Sequence, residues 1–233
     1  MGSVAERITT VRARIAAAAK RVGRDPASVH LVAVGKGHPP HLLAEATAAG
    51  CIDLGENYVQ EMLAKMESLG PSPIRWHLIG PLQRNKVRQV VGRIALVHTL
   101  DSPELAAEIE RRGAARGVVT EVLCQVNIAG ETQKNGIAPE DLGRLLEAVA
   151  VLLRVRGLMT LPPWEDDPEK VRPHFRALRR LRDEMASRFP SLDLRDLSMG
   201  MSADFEVAIE EGATWVRVGT TIFGERPPKE TRA

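Results

Sequence analysis

The chain has 233 residues, of which 44% are hydrophobic and 27% charged, with a formal net charge of +2. This composition is that of a globular protein able to bury its own core. A balance so near neutral does not argue for a nucleic-acid partner. The N-terminus lacks the apolar core of a signal peptide and no run reaches membrane-spanning length, so no membrane association and a cytoplasmic location are expected.

The first segment, Ser3 to Arg21, repeats apolar residues at Val4, Ile8, Val11 and Ile15, which predicts an N-terminal helix stopped by Arg24-Asp25-Pro26. Strands are predicted at Val29–Gly35, Cys51–Leu54, Ile74–Ile79, Ile94–Leu100, Thr120–Asn127, Val155–Thr160, Leu194–Ser198 and Thr214–Val218. Helical spacing fills the intervals, as in Leu42–Ala49, Pro103–Arg116, Glu140–Leu152, Arg172–Arg188 and Ala203–Glu210. The charges of Arg172–Arg188 alternate in sign on a helical period and read as a solvated face. Runs such as Leu31-Val32-Ala33-Val34 are apolar without a break, which suits a parallel sheet covered on both faces. The expected fold is therefore α/β: a (β/α)8 TIM barrel with an extra N-terminal helix, as a single domain over residues 1–233. An open doubly wound sheet is the alternative, since periodicity does not show closure. Cys51 and Cys124 sit in apolar runs and read as reduced, buried thiols.

In a parallel barrel the chemistry lies at the C-terminal ends of the strands. The first strand ends in Val34-Gly35-Lys36. A lysine there points into the barrel mouth, where burial favours the neutral amine that attacks a carbonyl to form an imine. A snorkelling surface lysine is the plain alternative. The second strand ends in Gly55-Glu56-Asn57 and the third contains His77, which by itself is more often a packed histidine than a ligand. Ser198-Met199-Gly200-Met201-Ser202 follows the seventh strand, and Ser202 reads as the N-cap of the next helix. Gly219 and Thr220 follow the eighth. Loops after strands seven and eight of such barrels often bind phosphate through main-chain N–H groups. Arg217 shares a strand face with Trp215 and Gly219. It is either an interior cation beside the lysine or half of a surface ion pair. Pro162 to Pro168 forms an irregular loop placed to lie over such a site. His38 and His41, with prolines between them and no third ligand, do not read as a metal site.

Taken together, these residues resemble the pyridoxal phosphate homeostasis protein family, itself similar to the N-terminal barrel of alanine racemase. The resemblance rests on Leu31-Val32-Ala33-Val34-Gly35-Lys36, Gly55-Glu56-Asn57-Tyr58-Val59-Gln60-Glu61 and Trp76-His77-Leu78-Ile79-Gly80-Pro81-Leu82-Gln83-Arg84-Asn85-Lys86. It continues through Gln125-Val126-Asn127-Ile128, Arg156-Gly157-Leu158-Met159-Thr160, Leu197 to Ser202 and Val216 to Thr220, in the family's order across nearly the whole chain. It implies a fold-type III barrel binding pyridoxal 5′-phosphate (PLP). Lys36 matches the Schiff-base lysine. Ser202, Gly219 and Thr220 match the phosphate ligands, and Arg217 matches the arginine facing the pyridine nitrogen. Asn57, His77 and Met199 match residues lining the pocket. Gly37, Tyr58 and Pro81 depart from the usual threonine, arginine and histidine.

An arginine does not readily give up its proton, so it hydrogen-bonds an unprotonated ring nitrogen and leaves a weak electron sink. Racemisation also needs an acid or base on each face of the substrate carbon, and the chain has a single tyrosine, Tyr58. The resemblance thus implies a monomeric PLP carrier in PLP (vitamin B6) homeostasis rather than an enzyme. Apo PLP enzymes or free amino acids would accept the aldehyde. A racemase-like PLP enzyme and a cofactor-free interaction module are the alternatives.

Overall fold

The computed structural model describes residues 2–131 and 133–226. Helix α1 (Val4–Arg21) comes first, and Ser3 and Glu6 close a capping box at its start. Such a cap contributes about 1 kcal/mol. Its buried face is Val4, Ile8, Val11, Ile15, Ala18 and Ala19, the stripe that the apolar spacing predicts.

The strands are β1 (His30–Val34), β2 (Asp53–Glu56), β3 (Arg75–Leu78), β4 (Leu96–Leu100), β5 (Glu121–Gln125), β6 (Arg154–Met159), β7 (Asp196–Ser198) and β8 (Trp215–Val218). Between and after them run α2 (Pro40–Ala48), α3 (Val59–Leu69), α4 (Val87–Val90), α5 (Pro103–Ala114), α6 (Leu142–Val149), α7 (Arg172–Arg188), α8 (Phe205–Glu210) and α9 (Thr220–Phe223). All eight strands are parallel and adjacent in chain order, and β8 returns to β1 with Val32 beside Arg217. The sheet is therefore closed. The molecule is a (β/α)8 barrel with one extra helix, as expected, and the open-sheet alternative is excluded.

Two apolar layers follow from the alternation of side chains along each strand. Val32, Leu96, Leu123, Met159 and Trp215 fill the barrel interior. A larger outer cluster joins the opposite strand faces to the helices and includes Phe175, Phe205 and Leu43. Helix α1 lies against α2, α8 and α9, and so covers the barrel where its first and last units meet.

Most element ends fall within a few residues of the expectation, and two of the differences bear on the site. Strand β2 is Asp53–Glu56 rather than Cys51–Leu54, because the Cys51 N–H still bonds back to Ala46 at the end of α2. The predicted helix Ala203–Glu210 begins at Phe205 with Asp204 as its cap residue, so Ser202 is not the N-cap. Both cysteines are buried, as expected, and burial pushes their thiols up, Cys51 to about 11 and Cys124 to about 12. Among the described residues no helix is long and apolar enough to cross a membrane.

Candidate functional site

Lys36 stands two residues beyond Val34, with the parity of the interior residue Val32, at the C-terminal mouth of the barrel. It is half-buried and makes no hydrogen bond or ion pair among the described residues. Burial and the neighbouring Arg226 and Arg217 guanidinium groups hold its amine below the ordinary lysine range, against a weaker pull from Glu56 and Glu61. The amine is thus shifted toward its neutral, nucleophilic form.

The backbone carrying it is pinned from α3. Buried Lys65 donates to the Gly35 carbonyl at 2.8 Å, to Glu56 at 2.7 Å and to Glu61 at 2.6 Å. Glu61 in turn accepts from the Gly37 N–H at 2.5 Å. The peptide groups on both sides of Lys36 are therefore fixed, and both nearby carboxylates are committed to Lys65. Gly37 has φ +75°, a left-handed conformation that favours glycine. Burial raises the Glu56 carboxyl to about 7 despite its contact with Lys65.

Beside the end of β1, in the turn after the neighbouring strand β8, the main-chain N–H groups of Gly219 and Thr221 converge on the Ser202 hydroxyl at 3.2 and 3.5 Å. Ser202 therefore serves the β8–α9 turn rather than α8, whose neighbour Asp204 instead accepts from the Met201 N–H at 2.6 Å. A Cβ at Gly219 would sit 3.2 Å from the Val34 carbonyl oxygen, so a side chain there would push this turn a few tenths of an ångström from the strand that leads to Lys36. Thr220 is exposed at the same turn.

Arg217 lies inside the barrel, 3% exposed, not in a surface ion pair. It donates to Ser198 Oγ at 2.6 Å and to the Thr160 carbonyl at 3.0 Å. Burial brings its guanidinium down to about 10, with Asp204 opposing. Asn57 ends β2 half-buried, and its main chain abuts Gly80. His77 lies deeper, with its ring against Trp215 and hydrogen-bonded to Asp53 and His98. Met199 packs into the outer cluster between strands and helices. The structure thus brings Lys36, Arg217, Ser202, Gly219 and Thr220 to one mouth. It sets Met199 in the helix-facing layer and His77 farther down the interior.

Around this mouth, Tyr58 is 64% exposed and Pro81 is exposed. Lys134 donates to the Pro162 carbonyl at 2.9 Å, which ties the irregular loop after β6 to the loop after β5. His38 is buried with its ring against Phe223, and among the described residues no three ligand side chains are grouped to hold a metal. Sequence reasoning missed Lys65, Asp53 and His98. A lysine in register with the buried Val59 and Met62, and a histidine inside the apolar run Leu96–Leu100, were the available signals.

The donor set tests the implied cofactor. Two main-chain N–H groups gathered on a hydroxyl, an amine that is unpaired among the described residues, and a guanidinium hydrogen-bonded to neutral acceptors lie at the same end of the barrel. That arrangement fits a group bearing both an aldehyde and a phosphate.

Residues 7–227 match the family model for the alanine racemase N-terminal domain. The chain is 47% identical over 223 residues to the pyridoxal phosphate homeostasis protein of Aquifex aeolicus, covering 95% of this chain and 97% of that relative. It is 47% identical over 228 residues to the protein of the same name in Pseudomonas aeruginosa, covering 97% of each. The solved structure of PipY from Synechococcus elongatus with PLP bound superposes with a TM-score of 0.83 at 36% identity, over 95% of this chain and 100% of that one. The chain therefore belongs to the alanine racemase N-terminal domain family and, within it, to the pyridoxal phosphate homeostasis proteins.

Proposed function

We propose that this protein binds PLP at the C-terminal mouth of the barrel and serves PLP homeostasis as a carrier. Lys36 Nζ holds the aldehyde carbon covalently. Ser202 Oγ and the Gly219 and Thr220 main chain hold the phosphate, and Arg217 faces the ring nitrogen. Asn57 borders the ring, while His77 and Met199 support the pocket from the interior and from the helix layer. When bound, PLP supplies an aldehyde that condenses reversibly with amines, releasing water.

The observation that supports this reading is an amine that, among the described residues, has no carboxylate partner, beside a turn on the neighbouring strand whose N–H donors converge. The protein's own part is to keep that amine neutral, to neutralise the phosphate and to keep a proton on Arg217. Arg217 so held donates to the ring nitrogen and does not charge it, which favours storage over carbanion chemistry. Tyr58, the one tyrosine, is exposed and so placed poorly for a second acid–base group. Apo PLP enzymes or free amino acids would take the aldehyde from Lys36, and the protein would act as a monomer.

The test is the absorbance spectrum of purified protein mixed with PLP, followed by borohydride trapping and peptide mapping. The label is expected on Lys36, and a label elsewhere ends the reading. Incubating the loaded protein with amino acids in deuterated water separates carrier from racemase. Cα–H exchange at enzymic rates that Lys36→Ala abolishes would replace the carrier with an enzyme.

A further inference from the structure

A hydrogen-bonded chain crosses the barrel interior beneath Arg217. Asp53 Oδ1 lies 2.9 Å from His77 Nε2, and His77 Nδ1 lies 2.9 Å from His98 Nε2. His98 Nδ1 is 2.8 Å from Ser198 Oγ, which accepts from Arg217 Nη1 at 2.6 Å. Its members come from β2, β3, β4, β7 and β8 and so span the barrel. At its far end Asp53 starts β2, pairs with Arg75 at 2.7 Å and, with His30 and Arg12, lines a cavity of about 290 Å³ beside the N-terminal mouth.

The direction of every bond follows from one end. Burial pushes the Asp53 carboxyl up, but the hydrogen bond from His77 and the paired Arg75 guanidinium outweigh it and hold the carboxyl below its ordinary value, and a carboxylate only accepts. His77 Nε2 must therefore carry a proton. His77 and His98 are both buried, and desolvation is the largest cause lowering their basicity. The Asp53 carboxylate opposes it at His77, where Arg75 and His30 add to it, and His77 and Arg217 add to it at His98, which favours the neutral form of each ring. A neutral ring holds one proton, so His77 Nδ1 accepts and His98 Nε2 donates. His98 Nδ1 then accepts, and the Ser198 hydroxyl hydrogen points at it. That leaves the Ser198 oxygen as acceptor for Arg217. Each bond in such a file strengthens the next.

We propose that Asp53 is a positioning residue for Arg217, acting across the barrel through His77, His98 and Ser198 to fix the guanidinium that faces the cofactor ring. The part that concerns the ring rests on the function proposed above. The part that concerns the file stands on the protein alone. Reversing His98 would aim its Nδ1–H at Ser198 and leave the hydroxyl hydrogen without its acceptor. Arg217 would then be held by a weaker partner and by Thr160 alone.

The experiment is nitrogen-15 NMR of histidine-labelled, cofactor-free protein, with His77 and His98 assigned by His77→Gln and His98→Gln. Both rings are expected as single tautomers protonated on Nε2. In Asp53→Asn, His98, which does not touch residue 53, is expected to become a mixture. Arg75→Gln, which removes the ion pair but not the file, is expected to leave it single. Titration with PLP should then show Asp53→Asn binding several-fold more weakly with a displaced absorbance maximum, and Arg75→Gln unchanged. A His98 tautomer insensitive to Asp53→Asn overturns the proposal, as does an unchanged affinity and maximum when the wild type binds. A wild type that binds no PLP would sink the function and leave the tautomers to judge the file. Should Asp53→Asn fail to fold, Ser198→Ala cuts the same file beside Arg217 and is expected to weaken PLP binding similarly. Full affinity in that variant overturns the proposal.

Discussion

The two mouths of the barrel treat charge in opposite ways. At the N-terminal mouth the first residues of five strands are ionic, and they neutralise one another. Asp53 meets Arg75 at 2.7 Å, Glu121 meets Arg154 at 3.0 Å and Arg156 at 2.7 Å, and Arg156 reaches Asp196 at 2.9 Å. At the C-terminal mouth, among the described residues, Lys36 has no hydrogen-bond or ion-pair partner, and Arg217 has a hydroxyl and a carbonyl. A mouth whose charges are matched is a closed structural end. A mouth with surplus cations, and with main-chain donors gathered on a single hydroxyl, is poised for an anion from outside. This agrees with the general division of such barrels into a stability face and a functional face.

The sharpest break of this comparison is a pair of substitutions. Lys36→Ala is expected to abolish borohydride-trapped PLP completely. Because Lys36 holds nothing in the protein, stability should change by less than about 0.5 kcal/mol in urea unfolding. Asp196→Ala at the other mouth is expected to do the reverse. It leaves the Arg156 charge short of a buried partner, at a cost of about 3 kcal/mol, while the trapped label stays on Lys36. If Lys36→Ala destabilised and Asp196→Ala abolished labelling, the assignment of roles to the mouths would be inverted.

Smaller effects sharpen the picture within the C-terminal mouth. Ser202→Ala removes the acceptor shared by Gly219 and Thr221. It is expected to cost about 1 kcal/mol of stability and to weaken PLP binding several-fold in a spectroscopic titration. The smallest effect is a pH slope. The Glu56 carboxyl is raised from 4.5 to about 7 in the folded protein, so the native state holds its proton more tightly than the unfolded chain. Its contribution is present below about pH 4.5, falls as pH rises towards 7 and is flat above. Unfolding free energies of wild type minus Glu56→Gln should show this decline. A difference that rises with pH over that window would mean that Lys65 keeps Glu56 ionised.

Much of this was legible in the sequence, for reasons that also mark the limit. The strands announced themselves because a doubly covered parallel strand must be apolar throughout, as Leu31 to Val34 is. Lys36 and Arg217 were readable because each breaks such a run at or near its C-terminal end. Ser202 was misread as a cap because a serine before a helical run has that local meaning, whereas its actual partners lie 17 and 19 residues away. Asp53, His77, His98 and Ser198 meet across separations of 24, 21 and 100 residues, which no local spacing encodes. Lys65 was hidden differently. It occupies a buried position of α3 where the helical period calls for an apolar side chain, so the pattern loses a beat at the residue that matters. Whether the sheet closed was decided by the pairing of β8 with β1, again a contact between distant parts of the chain.

The grip of Lys65 and Glu61 on the peptide groups flanking Lys36 has a consequence for traffic through the site. With the Gly35 carbonyl and the Gly37 N–H anchored to α3, the backbone of the loop is held on both sides of the long lysine side chain. Cargo would then come and go by chemistry at the tip of a tether on a fixed mooring, and a change in the set of α3 would shift that mooring as a unit.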